Sequence, residues 1–123
     1  NMTTPQPLPS YEFIAGFITG NGVFMWIKQN GSETPVFQIK LPASERPLLE
    51  LIKTKLGLKE TIHEYAHQDR HYVLLLVRKR STIETIIIPA FDHRLFGTKG
   101  LLFEDWKKKY FEKKLEFVYK HYK

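Results

Sequence analysis

The sequence predicts an α+β domain in which helices cover one face of a four-stranded antiparallel sheet. Two hairpin signals support the sheet. Asn30-Gly31 and Gln68-Asp69-Arg70 each separate two short runs that suit β-strands. Apolar residues at helical spacing before, between and after these hairpins support the helices. The resulting order is α-β-β-α-β-β-α-α, and 123 residues with 42% hydrophobic content fit one domain with its own core.

The first helix is predicted in the stretch Tyr11–Phe24, where Asn21 and the glycine after it end the helix. Gly16 and Gly20 lie four residues apart and therefore share one helix face, and glycine lets a second backbone approach closely. We expect this helix to pack tightly on a partner and to place Asn21 at its end. Four apolar residues flank the glycines and can bury against the rest of the domain: Phe13, Ile14, Phe17 and Ile18.

The remaining elements follow from similar signals. The four strands are predicted at Val23–Lys28, Val36–Leu41, Thr61–His67 and His71–Arg78. A second helix has Ser44 as its candidate cap and stops at Gly57, and a third spans Ser81–Pro89 with its first serine as cap. The last helix, Phe103–Tyr119, follows a loop that contains Lys99. The inward side chains expected on this last helix are Phe103, Trp106, Tyr110 and Leu115.

Composition limits the classes of function. Lys and Arg exceed Asp and Glu by 19 to 13, a formal charge of +6 that favours a polyanionic partner. The absence of cysteine excludes disulfides, thiolate zinc sites and cysteine nucleophiles. No apolar run reaches the roughly 18–20 residues of a membrane span. Residues 1–10 contain three prolines and no basic residue, so we expect a disordered arm rather than a signal or transit peptide, followed by one domain at 11–123.

Two blocks of the chain resemble the LAGLIDADG homing endonucleases. The run Ile14–Gly22, IAGFITGNG, is similar to the nine-residue signature of that family. The C-terminal block of the family is similar to Ile88–Asp92, Leu95–Lys99 and Phe103–Trp106, and its middle helix is similar to Pro47–Gly57. The resemblance covers roughly residues 11–115 and implies the αββαββα fold of the family. Because the signature occurs once, it also implies the single-repeat kind, which forms a homodimer through the signature helices.

The resemblance implies double-stranded DNA as the ligand, with the uncovered sheet face lying along the major groove. It further implies that the glycine face of the first helix forms the dimer contact. The candidate dimer-interface residues are Ile14, Gly16, Phe17 and Gly20. The candidate nucleic-acid contacts are Lys28, Gln38, Lys40, His63, Tyr65 and Arg78.

The family cleaves phosphodiesters with Mg²⁺ held between carboxylates at the ends of two signature helices. Asn21 stands at that acidic position here. An amide offers one carbonyl oxygen but no charge to hold the metal or to activate its water, so Asn21 is at most a weak metal ligand. Lys99 matches the basic residue that lies near the scissile phosphate in the family. The sequence therefore predicts a DNA-binding homodimer whose site-specific cleavage is lost or impaired.

Two alternatives stay open. The first is an active Mg²⁺-dependent homing endonuclease in which Asn21 is introduced or tolerated. The second is the same fold acting as an interaction scaffold for a protein or RNA partner. This alternative is favoured by the apolar outer positions Val23, Met25 and Ile27 and by the run Val73–Val77, which is apolar on both faces. No membrane partner is expected, and the family is common in organellar and microbial introns, so we expect an organelle matrix or a microbial cytoplasm.

Overall fold

A computed structural model describes residues 6–121, with side chains as far as residue 118. The helices and strands are α1 Tyr11–Asn21, β1 Gly22–Gln29, β2 Ser32–Pro42, α2 Arg46–Leu56, β3 His63–His67, β4 Arg70–Val77 and α4 Gly97–His121. Between β4 and α4, an α-helical segment Arg80–Thr82, a π-helical turn Ile83–Ile87 and an α-helical segment Ile88–Phe91 follow without a break. These three segments together are α3, residues 80–91.

The predicted N-terminal arm falls only partly within the described residues. Residues 1–5 lie outside them, and residues 6–10 contain no helix or strand. None of the helices in the described part of the chain combines the length and apolar character that crossing a membrane requires.

The strands form one sheet in the order β1-β2-β4-β3, and all three neighbouring pairs are antiparallel. At the first hairpin, Asn30 and Gly31 both have left-handed backbone conformations, with φ of 51° and 79°. This is the two-residue turn whose twist suits paired antiparallel strands. The structure thus confirms the predicted α+β class and both predicted hairpins.

The core lies between the sheet and the helices. Phe37, Ile39 and Leu41 point inward from β2, and Ile14 and Ile18 of α1 are fully buried in the same core. Alternate residues of a strand point to opposite faces, so the other face of the sheet is the outer face.

An aromatic cluster joins β1 to α4. The ring of Phe24 lies 5.0 Å from that of Phe103 and 5.1 Å from that of Trp106. Trp106 also donates its indole N–H to the carbonyl oxygen of Met25 at 2.9 Å. Tyr110, one turn further along, is buried too. These contacts fix the first half of α4 against the sheet, as the sequence predicts.

The helix starts differ from the predictions. The second helix begins only at Arg46, after a 3-10 turn at Ala43–Glu45, so Ser44 is not its cap. The cap of α3 is Lys79, and Ser81 lies inside the helix, where its carbonyl accepts a hydrogen bond from Thr85. Serine side chains are favoured at caps but are not required there, and neither α2 nor α3 has a side-chain hydrogen bond at its cap position.

The last helix also differs. It begins at Gly97, six residues before Phe103, so Lys99 lies in its first turn rather than in a loop. Leu115, predicted to face inward, is 60% exposed, so the inward-facing side of α4 predicted from the sequence holds as far as Tyr110 and not beyond it.

Gly22 makes the tight joint between α1 and β1. Its N–H donates to the carbonyl of Ile18, and a Cβ at this position would lie 2.5 Å from Ile18 Cγ2. The chain can therefore turn directly from helix to strand only with glycine here, and this turn sets the position of Asn21.

Candidate nucleic-acid interface and cleavage site

Asn21 is the last residue of α1, and its side chain is exposed. Its Nδ2 donates to the carbonyl oxygen of Phe17 at 3.1 Å. Thr19, two residues before Asn21 in the run IAGFITGNG, donates its hydroxyl to the carbonyl of Ala15 at 2.8 Å. Both side chains thus bind back onto their own helix, and this hydrogen bond uses one of the two N–H donors of the Asn21 amide.

Lys99 lies beside this helix end, although it is 78 residues away from Asn21 in the chain. Its Nζ donates to the carbonyl oxygen of Gly22, the residue that follows Asn21. The ammonium group therefore lies at the C-terminal end of α1, where the helix dipole places partial negative charge. The structure brings together the two predicted cleavage-site residues.

A divalent metal ion does not fit this end of a single chain. The donors that α1 offers here are the amide oxygen of Asn21 and backbone carbonyls, and the neighbouring cation is Lys99. Hard cations such as Mg²⁺ prefer anionic oxygen ligands and are repelled by an adjacent ammonium. Within residues 6–118, neither Asn21 nor Lys99 has a carboxylate among its hydrogen-bond partners.

A separate group of metal-ligand side chains lies between α3 and α4. Within the described side chains, Asp92, His93 and Glu104 bring their ligand atoms within 4.8 Å of one another. Lys107 Nζ lies 2.6 Å from Asp92 and 3.1 Å from Glu104, and these hydrogen bonds raise the pKa of Lys107. The Lys107 ammonium already balances the negative charge of Asp92 and Glu104, so these side chains do not need a metal ion.

The predicted dimer-interface residues fall on two sides of α1. Gly16 and Gly20 are exposed, and a Cβ built on either glycine would meet nothing within 4 Å. Phe17 is half-buried beside them. Ile14, in contrast, is fully buried in the core of its own chain. Placing Ile14 on the partner-facing side was therefore incorrect, since at about 100° per residue it lies too far around the helix from the glycines.

Most of the predicted nucleic-acid contacts share the outer face of the sheet. Gln38, Lys40, His63 and Tyr65 lie there, and Arg78 follows the end of β4. Lys28 does not share this face. It lies two residues after Trp26 on β1, so both side chains point to the helix side of the sheet. Lys28 pairs with Glu33, whose carboxylate binds Lys109 of α4 at 2.6 Å. Its assignment as a sheet contact is therefore corrected.

One half of the outer face carries aromatic rings. Tyr65 and Tyr72 are directly paired across β3 and β4, with ring centroids 5.3 Å apart. His63 lies 6.3 Å from Tyr65, and Lys40 Nζ lies 4.3 Å from the centre of the Tyr72 ring. We call His63, Tyr65 and Tyr72 the aromatic row. Tyr72 was not predicted as a contact, although strand alternation with the buried Val73 indicates its outward direction.

The other half of the outer face is aliphatic. Val23 is 37% exposed, and Met25 and Ile27 beside it on β1 are half-buried. Leu74 and Leu76 add apolar side chains on β4, where they pair with Lys40 and Gln38 of the intervening β2, and Leu74 also pairs with His63. The apolar outer positions that the sequence predicts are therefore present on this face.

A sheet with helices on one face, together with a signature helix that ends at a polar site, defines the class of the homing-endonuclease-like fold. The sequence profile of the LAGLIDADG endonuclease family matches residues 14–110. The chain belongs to this family. A search of curated proteins by sequence gave no match.

Solved structures agree with this assignment. The LAGLIDADG homing endonuclease I-GzeII in complex with its DNA target has a TM-score of 0.81 at 23% identity, over 94% of this chain and 40% of that one. I-SmaMI bound to an uncleaved DNA target with calcium ions has a TM-score of 0.77 at 25% identity, over 92% and 40%. The homing endonuclease I-TnaI has a TM-score of 0.76 at 19% identity, over 89% and 77%. The chain thus spans about two fifths of the first two.

Proposed function

We propose that the protein binds double-stranded DNA through the outer face of its sheet, as a homodimer, and that its site-specific cleavage is lost or impaired. The observation that carries the proposal is the end of α1. There Asn21 stands where the family resemblance implies an acid, its amide binds back to Phe17, and the Lys99 ammonium donates to the adjacent carbonyl.

DNA binding is supported by the family and by the surface. I-GzeII and I-SmaMI, which share the fold, are DNA complexes. The outer face carries amide, basic and phenol groups that can contact base edges or phosphates, and the chain has a formal charge of +6. These polar contacts are Gln38, Lys40, His63, Tyr65 and Arg78.

The homodimer is supported by the open glycine face of α1. Gly16 and Gly20 leave room for a second helix backbone, and the half-buried Phe17 adds apolar surface beside them. Two copies would bring two α1 ends together. With Asn21 at both ends, the pair has no carboxylates to repel each other and none to hold a metal between them.

The test compares the wild-type protein with Asn21→Asp and with Asn21→Ala as the matched control. Binding is measured on long duplex DNA over a series of salt concentrations, and cleavage is measured on plasmid DNA and on a duplex library in Mg²⁺. We expect salt-dependent duplex binding by all three proteins and Mg²⁺-dependent cutting by Asn21→Asp alone.

Each other outcome has a definite meaning. Cutting by the wild-type protein would establish the active endonuclease instead. No cutting by Asn21→Asp on DNA that it binds would show that more than the acid is missing. Absence of duplex binding would refute the DNA-binding function. It would leave the second candidate, an interaction scaffold for a protein or RNA, which the aliphatic half around Val23, Met25 and Ile27 favours.

A further inference from the structure

The aromatic row offers ring faces for stacking, which recognition of base-pair edges in a duplex does not use. In the major groove of a duplex the bases expose only their edges, which Arg, Lys, Asn and Gln side chains read through hydrogen bonds. The flat face of an aromatic ring contributes stacking energy only to a base that has left its own stack. Rings grouped on an exposed sheet face therefore indicate unpaired bases.

The rings are arranged as such a platform. Tyr65 and Tyr72 lie opposite each other on neighbouring strands, with planes inclined by 31°. His63 extends the row along β3, since residues two apart on a strand share a face. Tyr65 is 43% exposed, and the helices pack on the opposite side of the sheet. The row thus presents ring surface to solvent rather than to the core.

Cations border the row at both ends. On one side, Lys40, Arg70 and Tyr72 line a shared groove. On the other side, Arg78 and Lys79 line a second groove with His63 and Tyr65, and Glu60 is the acidic side chain in that groove. Positive groups on either side of a ring platform match a strand whose bases stack on the rings while its phosphates pass the cations.

We propose that the aromatic row binds an unpaired stretch of single-stranded DNA, with bases stacked on Tyr65 and Tyr72. This inference rests on the proposed function, because it takes the outer face to be the nucleic-acid surface. It extends that function from a duplex reader to a protein that also holds bases released from pairing next to the duplex.

The test uses fluorescence anisotropy with a labelled 12-nucleotide oligothymidylate and, separately, a labelled blunt-ended duplex annealed from two strands, which has no unpaired loop. The variant is Tyr65→Leu combined with Tyr72→Leu. Tyr11→Leu is the matched control, because Tyr11 is 44% exposed and has Lys55 Nζ 4.6 Å from its ring centre, but lies on α1. The variant Tyr65→Phe combined with Tyr72→Phe keeps the rings and removes only the hydroxyl groups.

We expect the double leucine variant to bind oligothymidylate about tenfold or more weakly than the double phenylalanine variant, while the two variants bind the duplex equally within about threefold, because both lack the Tyr65 hydroxyl that the proposed duplex contact uses. The phenylalanine variant should bind oligothymidylate like the wild-type protein, and the Tyr11 control should bind both ligands like the wild-type protein. Retained duplex binding also shows that the leucine variant is folded.

The results that would contradict single-strand binding differ from those that would contradict duplex binding. Equal loss of both ligands would mean that the rings contact the duplex, and no wild-type affinity for oligothymidylate would mean that the row does not bind single strands. Either result overturns this inference but leaves duplex binding in place. Tighter binding of oligouridylate RNA by tenfold would overturn the assignment to DNA. Failure to bind the blunt-ended duplex, in contrast, would count against the proposed function itself.

Discussion

Gly16 gives the sharpest test of how α1 is used, because one substitution should change two properties in opposite directions. In the single chain this residue is at a central position along α1 and is exposed to solvent. A Cβ built on it would meet open space. Alanine has the higher helix propensity, and it meets no neighbour here. Gly16→Ala should therefore raise the free energy of unfolding of the monomer by about 0.5–1 kcal/mol.

The same methyl group should weaken the homodimer. If two α1 helices meet through their glycines, Gly16→Ala adds one methyl group from each copy at the closest approach of the backbones. Overpacking of a close contact costs about 1–3 kcal/mol. Since about 1.4 kcal/mol is a tenfold change, the dissociation constant of the dimer should rise by roughly 5- to 150-fold.

The assays separate the two effects. Urea unfolding at a protein concentration where the monomer predominates gives the free energy of unfolding, and sedimentation equilibrium gives the dissociation constant. Gly22→Ala is the control for a glycine whose Cβ position is already occupied by a neighbouring side chain. Its methyl group would lie 2.5 Å from Ile18 Cγ2, so it should lower the stability of the monomer. If Gly16→Ala leaves self-association unchanged, the glycine face is not the dimer contact.

Two further predictions concern the core. Tyr110 is buried and donates its hydroxyl to Glu84 at 2.9 Å, and burial is the main cause that raises its pKa from 10.0 to about 12. The folded state thus favours the neutral phenol. The stability that Tyr110 contributes in this way is fully present below pH 10, and about 2–3 kcal/mol of the free energy of unfolding is lost as pH rises from 10 to 12. Tyr110→Phe should cost about 1 kcal/mol at neutral pH and flatten this alkaline loss in urea unfolding from pH 8 to 11.5. Phe37→Ala, at a fully buried ring, should lower the free energy of unfolding by about 3–5 kcal/mol in the same assay, and a loss under 1 kcal/mol would contradict the packing described.

The features that the sequence predicts well are those that local chemistry decides. The Asn30-Gly31 turn requires two left-handed residues, and this dipeptide supplies them at little cost. The end of α1 is equally local, because Asn21-Gly22 passes directly into a strand pattern. Element order follows from such signals without knowledge of the tertiary contacts.

The features that were missed have different causes. At the start of α4 a Cβ on Gly100 would lie 2.7 Å from the carbonyl oxygen of Leu95, a close backbone approach within five residues that no hydrophobic periodicity reveals. Ile14 is a second case. Helical spacing already separates it from the glycine face, and the folded chain shows that its own side of α1 faces the core. The error at Lys28 could have been avoided from the sequence. Lys28 lies two residues after Trp26 on the same strand, so both side chains point to the helix side.

In the proposed DNA complex, Lys99 would connect the end of α1 to the nucleic acid. An ammonium group has three donors, and Lys99 uses one of them on the carbonyl of Gly22. Asn21, the neighbouring residue, supplies no negative charge, so the remaining donors suit a phosphate of the proposed DNA ligand. Restoring the acid with Asn21→Asp would make carboxylate and phosphate compete for this cation unless a metal ion also binds. The same variant that regains cutting in Mg²⁺ should therefore bind duplex DNA less tightly than the wild-type protein when divalent ions are chelated.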